Sequence, residues 1–196
     1  MAPTPKPPTA EHILDVTEGV LRRHGPAKAT VVDVARVLGV SHASVYRHFA
    51  TKSALWEAVT KRWLDHIATA LAAIAAEECN PELRLRDWLA ALFAAMRSKS
   101  HEDPELFTTY KVLVADLGDA IAVHVDDLTA QLAHIVRSGA DTGIFASVTD
   151  PTGMARAVFQ ATGRFHDSCY SRDWKQPDIE AQFDTVVELV VQGLRR

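Results

Sequence analysis

Apolar positions recur at helical spacing along almost the whole chain, and period-2 alternation is nearly absent, which predicts an all-α protein. Ile13, Leu14, Val16, Val20 and Leu21 share one face of a first helix that Thr9 caps and Gly25-Pro26 ends. A short helix follows from Thr30, with Val31, Val34, Ala35 and Leu38 inward and Asp33 completing a capping box. Gly39 turns the chain, and Ser41 caps a second short helix that holds Val45 and Phe49 inward. Thr51 caps a longer helix running through Leu55, Val59, Trp63, Ile67 and Leu71 to about Ala76. Further helices are predicted from Pro81 to about Lys99, from Asp103-Pro104 to about Leu117, and from about Gly118 to Ser138. Residues 139–147 read as a loop, Asp150-Pro151 opens a long helix to about Tyr170, and Asp178 caps a last helix ending near Gly193. That makes about nine helices with short connections and no internal repeat. Residues 1–8, with four prolines, read as a disordered arm in which Lys6 is the one basic residue.

Composition adds limits to this picture. Apolar residues make up 47% of the 196, enough to bury a core without disulfide or metal staples. The two cysteines, Cys79 and Cys169, have no framework spacing, and no leader-like or membrane-spanning apolar stretch occurs, so a cytoplasmic chain with reduced thiols is expected. No Gly-rich phosphate loop, His-Glu-x-x-His, Gly-x-Ser-x-Gly or Cys-x-x-Cys is present, so neither an enzyme nor a cofactor is predicted. His166 and Cys169 would share a helix face, yet two ligands fall short of a zinc site, and they read as an interface histidine and a buried thiol.

Charge is more informative than composition. The net −4 divides into +4 for residues 1–62 and −8 for residues 63–196, so a basic end suited to phosphate sits on an acidic body. Within the basic end lies the pair of short helices joined by a Gly-containing turn. Such a pair can place its second helix in the DNA major groove while the first braces it. Facing outward on that second helix are Ser41, His42, Ala43, Ser44, Tyr46, Arg47 and His48. His42, Ser44 and Arg47 can hydrogen-bond base edges, and Ala43 allows close approach to a thymine methyl. Thr30, Tyr46, Thr51 and Lys52 suit phosphates, three of them at helix N-termini where free amides favour anions. As isolated residues, Thr30 and Thr51 could equally be plain caps and Tyr46 plain packing.

The run TVVDVARVLGVSHASVYRHFATKSALWEAV resembles the N-terminal domain of TetR-type transcriptional regulators. The pattern is carried by Gly39-Val40-Ser41, Tyr46, Phe49, Lys52 and Leu55, with Ala43 and Ala50 where Gly and Pro are frequent. The resemblance covers roughly residues 9–60. It implies phosphate contacts from Thr30, Tyr46 and Lys52, and base contacts near His42, Ala43 and Ser44. It divides the chain into a DNA-binding domain over 9–55 and a helical ligand-binding and dimerisation domain over 56–196.

The same resemblance implies a homodimer on pseudo-palindromic double-stranded DNA, released by a small, mostly apolar effector. The last two helices carry apolar faces that a second copy would cover, and Val158, Phe165, Phe183, Val187 and Val190 are the candidates. Trp63, Phe93 and Met96 are core-type residues that either fill a solid core or, as in the family resembled, surround a cavity. Tyr110, His124 and His166 would be its polar groups. Two alternatives stand beside a ligand-responsive repressor: a DNA-binding protein answering to a protein partner, and an all-helical enzyme that no motif supports.

Overall fold

The structure is a computed structural model that describes residues 8–115 and 117–195. The expected arm therefore lies, apart from Pro8, outside the described residues. Nine α-helices and three 3-10 turns form among the described residues: α1 Ala10–Lys28, α2 Val31–Leu38, α3 His42–Tyr46, α4 Lys52–Ala75, α5 Pro81–Glu102, α6 Pro104–Ala115, α7 Gly118–Asp141, α8 Pro151–Ala161 and α9 Ile179–Leu194. The protein is all-α, as its periodicity predicts. None of the helices is long and apolar enough to cross a membrane.

The chain folds into two compact units. The first runs to Trp63 and includes Asp103–Gly118, so it takes in α6; the second holds Leu64–Glu102 and the chain from Asp119 onward. These limits differ from the division at 55/56 expected from sequence. The reason is packing: Leu106, Tyr110 and Leu113 of α6 join Ile13, Leu14, Leu21, Val34, Val45 and Leu55 in one buried cluster. Helical spacing shows that α6 has an apolar face but not which helix covers it.

Polar contacts tie the first unit together around that core. The path of α1 breaks at Gly25 (φ 67°), just before Pro26, where the sequence places its end. Arg62 of α4 fans onto Glu11 (3.3 Å), Asp15 (2.8 Å) and Glu18 (2.6 Å), which lie along one side of α1. Arg22 reaches Asp103 at 2.6 Å, linking α1 to the residue that caps α6. The Trp63 and Tyr110 rings stack with centroids 4.7 Å apart. Burial first, and then the neighbouring Glu18 charge, push the Tyr110 hydroxyl above its ordinary pKa.

The second unit buries Leu85, Trp88, Leu89, Leu128, Leu132, Ile135 and Val136. Several polar groups enter this core with partners, although the Thr129 hydroxyl and the Arg84 Nε are buried without one among the described residues. The Trp88 indole donates to the Gln131 amide (3.0 Å), whose own NH2 donates to the Ala68 carbonyl (3.1 Å). The buried Arg84 donates to the Ala75 carbonyl at the end of α4 (3.2 Å) and to the Ser138 hydroxyl (2.8 Å). Glu82 accepts from both Arg86 and Arg195, which holds its carboxyl below the ordinary pKa, the Arg195 bond being the larger cause.

Three elements depart from the sequence reading. The helix expected from Pro151 to about Tyr170 stops at Ala161 and gives way to 3-10 turns at Gly163–Phe165, Ser168–Tyr170 and Asp173–Lys175. Thr162 turns its hydroxyl back to the Val158 carbonyl (3.0 Å), and the turns bury both Phe165 and Trp174, whose indole donates to the Arg164 carbonyl (2.9 Å). The segment read as a loop is helical to Asp141, because Gly139 leaves room for the buried Phe145 ring; a Cβ there would lie 2.1 Å from it. Asp178 occupies the N-cap position of α9, but its carboxylate accepts from the Gln182 side chain (2.7 Å) rather than from a backbone N–H.

Candidate nucleic-acid interface

Helix α2 starts at a full capping box. The Thr30 hydroxyl accepts the Asp33 N–H (3.2 Å), while the Asp33 carboxylate accepts the Thr30 N–H (3.1 Å). The Thr30 O–H also donates to Asp33 (2.6 Å), and Arg36 donates to the other carboxylate oxygen (2.8 Å). These bonds, the Thr30 hydroxyl first, hold the Asp33 carboxyl below its ordinary pKa. Both donors of Thr30 are thus engaged inside the cap in the free protein.

The turn after α2 depends on Gly39, whose φ of 68° and ψ of 28° are left-handed, a conformation costly for residues with a Cβ. Its N–H and that of Val40 return to the Ala35 carbonyl, the latter at 3.0 Å. Ala35 is buried between the helices, and the half-buried Val40 packs on the core. Three residues, Gly39 to Ser41, thereby connect α2 to α3.

Ser41 then caps α3 by accepting the Ser44 N–H (3.3 Å). The fully buried Val45 and the partly buried Phe49 anchor the helix to the first unit, and α3 ends at Tyr46, earlier than the Phe49 limit expected. With those two positions inward, Ser41, His42, Ala43, Tyr46, Arg47 and His48 are all exposed and Ser44 is half-buried. His42 meets the Tyr46 ring edge-on, with centroids 6.3 Å apart. Tyr46 is 41% exposed, so its hydroxyl is available rather than packed away. Arg47 turns back along the helix and donates to the Ser44 hydroxyl (3.3 Å), which contacts the Ser41 hydroxyl (3.0 Å).

The start of α4 completes the face. The exposed Thr51 accepts the Ala54 N–H at 3.0 Å, and the Lys52 ammonium lies over the Trp56 ring, 5.3 Å from its centroid. The ten residues expected to meet DNA therefore all lie in the first unit, at the caps, the turn and the short helix. Sequence reasoning found Asp33 as the capping-box partner of Thr30 but missed Arg36, which donates to Asp33. The Thr-x-x-Asp spacing signals the first but says nothing of the second.

The other candidate residues are dispersed. Trp63 and Tyr110 belong to the first unit and stack on each other. Phe93, buried with Met96 in the second unit, packs against Phe165 (5.6 Å) and Phe183 (4.9 Å) in a cluster of three rings. His124 is half-buried on α7. His166 directly follows the 3-10 turn Gly163–Phe165, its Nε2 3.0 Å from the Phe159 carbonyl, and burial lowers its pKa. The expected dimer residues Val158, Phe165, Phe183 and Val187 are buried within the chain itself, and Val190 is half-buried. Leu189, 70% exposed, and Met154 are the large apolar side chains that α9 and α8 leave open. Cys169, expected to be buried on a helix, is exposed on a turn. Among the described residues no group of three or more His, Cys, Asp or Glu could hold a metal. The surface clefts include one of ≈ 710 Å³ beside Arg86, Phe183 and Leu189 and one of ≈ 470 Å³ beside Arg22, Pro26 and Val112; none of Trp63, Phe93, Met96, Tyr110, His124 and His166 lines either.

Known proteins place this architecture. The profile described as bacterial regulatory proteins, tetR family, matches residues 13–59, and that of the tetracyclin repressor-like C-terminal domain matches residues 81–187. An HTH-type transcriptional repressor of Mycobacterium tuberculosis is 31% identical over 134 residues, 67% of this chain and 69% of that protein. SmeT, the repressor of the Stenotrophomonas maltophilia multidrug efflux pump SmeDEF, superposes with a TM-score of 0.72 at 19% identity, over 96% of this chain and 91% of its own. FadR from Bacillus subtilis, solved in complex with stearoyl-CoA, gives 0.70 at 18% identity, over 95% of this chain and 100% of its own. With both family profiles matched, the second over more than half of the chain, this protein belongs to the tetR family of bacterial transcriptional regulators.

Proposed function

We propose that this protein is a ligand-responsive transcriptional repressor that binds a pseudo-palindromic operator as a homodimer in the cytoplasm. The observation that carries this reading is the outward set on α3, where His42, Ala43, Tyr46, Arg47 and His48 stand exposed on a helix capped by Ser41 and anchored by Val45. Such a helix presents its N-terminal residues to base edges while caps and nearby cations meet phosphates. Two copies are needed to read two half-sites about one DNA turn apart, roughly 34 Å. Leu189 and Met154, with the half-buried Val186 and Val190, supply exposed apolar surface for that pairing on the last two helices.

Control by an effector draws on the C-terminal family match and on FadR, which was solved with stearoyl-CoA. The effector class is a lipid-like or drug-like molecule, mostly apolar. It would act by stabilising the conformation that binds the operator less well, a shift of population set by its differential affinity. Helix α4, whose residues belong to both units, is the covalent route for that coupling. A specific observation favours a second reading. Phe93, expected to border a cavity, packs instead on Phe165 and Phe183, as it would in a regulator that answers to a protein partner.

Selection of bound sequences from a random DNA pool tests the operator: a two-fold motif is expected, and none would refute the reading. Sedimentation should give a dimer at micromolar concentration. Fatty acyl-CoA thioesters and hydrophobic drugs should both raise the melting temperature and release the selected DNA. A ligand that does the first without the second contradicts the coupling.

A further inference from the structure

One exposed side chain of the interface is held in place. An exposed arginine ordinarily samples many rotamers, and ordering it costs entropy. Arg47 instead bends back one turn to Ser44, three residues earlier on the same face, so its guanidinium lies toward the N-terminal end of α3. A guanidinium donates and cannot accept, so the Ser44 oxygen is the acceptor of that 3.3 Å bond. The same oxygen lies 3.0 Å from the Ser41 hydroxyl, which in turn accepts the Ser44 N–H at 3.3 Å. Ser44 is therefore engaged on two sides by its own helix and is half-buried there. Of the five N–H donors of Arg47, one is given to Ser44, and a planar fork remains free.

We propose that Arg47 is a specificity-determining residue that reads a guanine in each half-site, and that Ser44 is a positioning residue that aims it. This rests on the reading that α3 enters the major groove. Guanine is the base whose O6 and N7 both accept, matching a guanidinium fork. The N-terminal end of a recognition helix is the part that reaches base edges, and the Ser44 bond turns Arg47 toward that end. Pre-ordering by Ser41 and Ser44 lowers the entropy lost when the base is met. This changes the part Ser44 plays: its hydroxyl acts through Arg47 rather than on a base of its own.

The test is selection from a random DNA pool, with salt titration of binding to the selected site and melting controls. It uses the full chain and the variants R47A, S44A, S44T and K52A. Wild type is expected to select a two-fold motif with an invariant guanine in each half. R47A should lose the preference for that guanine about tenfold or more while keeping the other positions. S44A should lose part of the preference at that same position, about three-fold, with the salt slope unchanged. S44T, which keeps the hydroxyl, should restore it. K52A, a phosphate contact, should weaken all sequences alike and reduce the salt slope by about one. If R47A behaves like K52A, with the motif intact, Arg47 is a phosphate contact and the proposal is overturned while the operator reading stands. If S44A alters a different position, Ser44 reads a base itself and the positioning role is refuted. If wild type selects no motif, the operator reading fails first and this inference with it.

Discussion

The two units treat an arginine in opposite ways, Arg62 being half-buried and Arg84 buried. In the first, Arg62 meets three carboxylates, and its partners Glu11 and Asp15 stand mostly in solvent. In the second, Arg84 is 5% exposed and meets a backbone carbonyl and a hydroxyl. The α4 terminus supplies the partial negative charge that a carboxylate would otherwise provide. The first arrangement is an ion-pair network at the solvent edge, open to water and salt. The second is a polar joint inside a core, where each loss leaves an unsatisfied group. Arg62 thus keeps its ion pairs at the surface, whereas Arg84 joins the end of α4 to α7 from inside the core.

Substitutions can break that contrast in order of effect. Arg84→Ala removes a packed side chain and leaves the Ala75 carbonyl and Ser138 without their partner, so a loss of about 2–4 kcal/mol is expected in urea unfolding. Adding salt should leave that loss unchanged. Arg62→Met keeps the side-chain volume and removes three charged contacts, so about 1–2 kcal/mol is expected, most of it gone near 1 M salt where screening reaches ~3 Å. If the two variants respond to salt alike, the contrast between the units is wrong. Thr30→Ala removes one half of the capping box and should cost about 1 kcal/mol in the same unfolding measurement.

The smallest effect sharpens the picture of the second unit. Burial lowers the His166 pKa, so the folded chain takes up this proton less readily than the unfolded one. Its contribution to stability is complete above the unfolded value, about 6.5, and is lost as pH falls through the depressed folded value. His166→Gln can still donate to the Phe159 carbonyl but does not titrate. Its melting temperature should therefore fall less steeply than wild type on acidification below pH 6.5. Parallel curves would mean that His166 is as solvated in the fold as in the unfolded chain.

Legibility followed the range of the interaction involved. The caps Thr30, Ser41 and Thr51, the turn at Gly39 and the inward positions Val45 and Phe49 are local, and the structure places each where the sequence does. Outward residues of α3 were legible for the same reason, since two anchored positions orient a five-residue helix. The end of α8 was not legible. Met154, Val158, Ala161 and Phe165 keep a helical spacing, but the pull of Phe165 and Trp174 into one core outweighs it, and Thr162-Gly163 resists little. Burial of Val158, Phe183 and Val187 was misread in kind, because an apolar stripe looks the same whether its own chain or a second copy covers it.

By itself, the sequence determined an all-α chain, the helix-turn-helix with its caps, and a basic N-terminal part suited to phosphate, because periodicity, capping and turn chemistry act within a few residues. Only the tertiary structure decided that α6 belongs with the helix-turn-helix unit, that Arg62 and Arg84 find their partners, and which apolar residues of α8 and α9 stay exposed. Those outcomes depend on which helices cover one another. That choice is made by packing between residues far apart in the chain, where one-dimensional spacing carries no record of the partner.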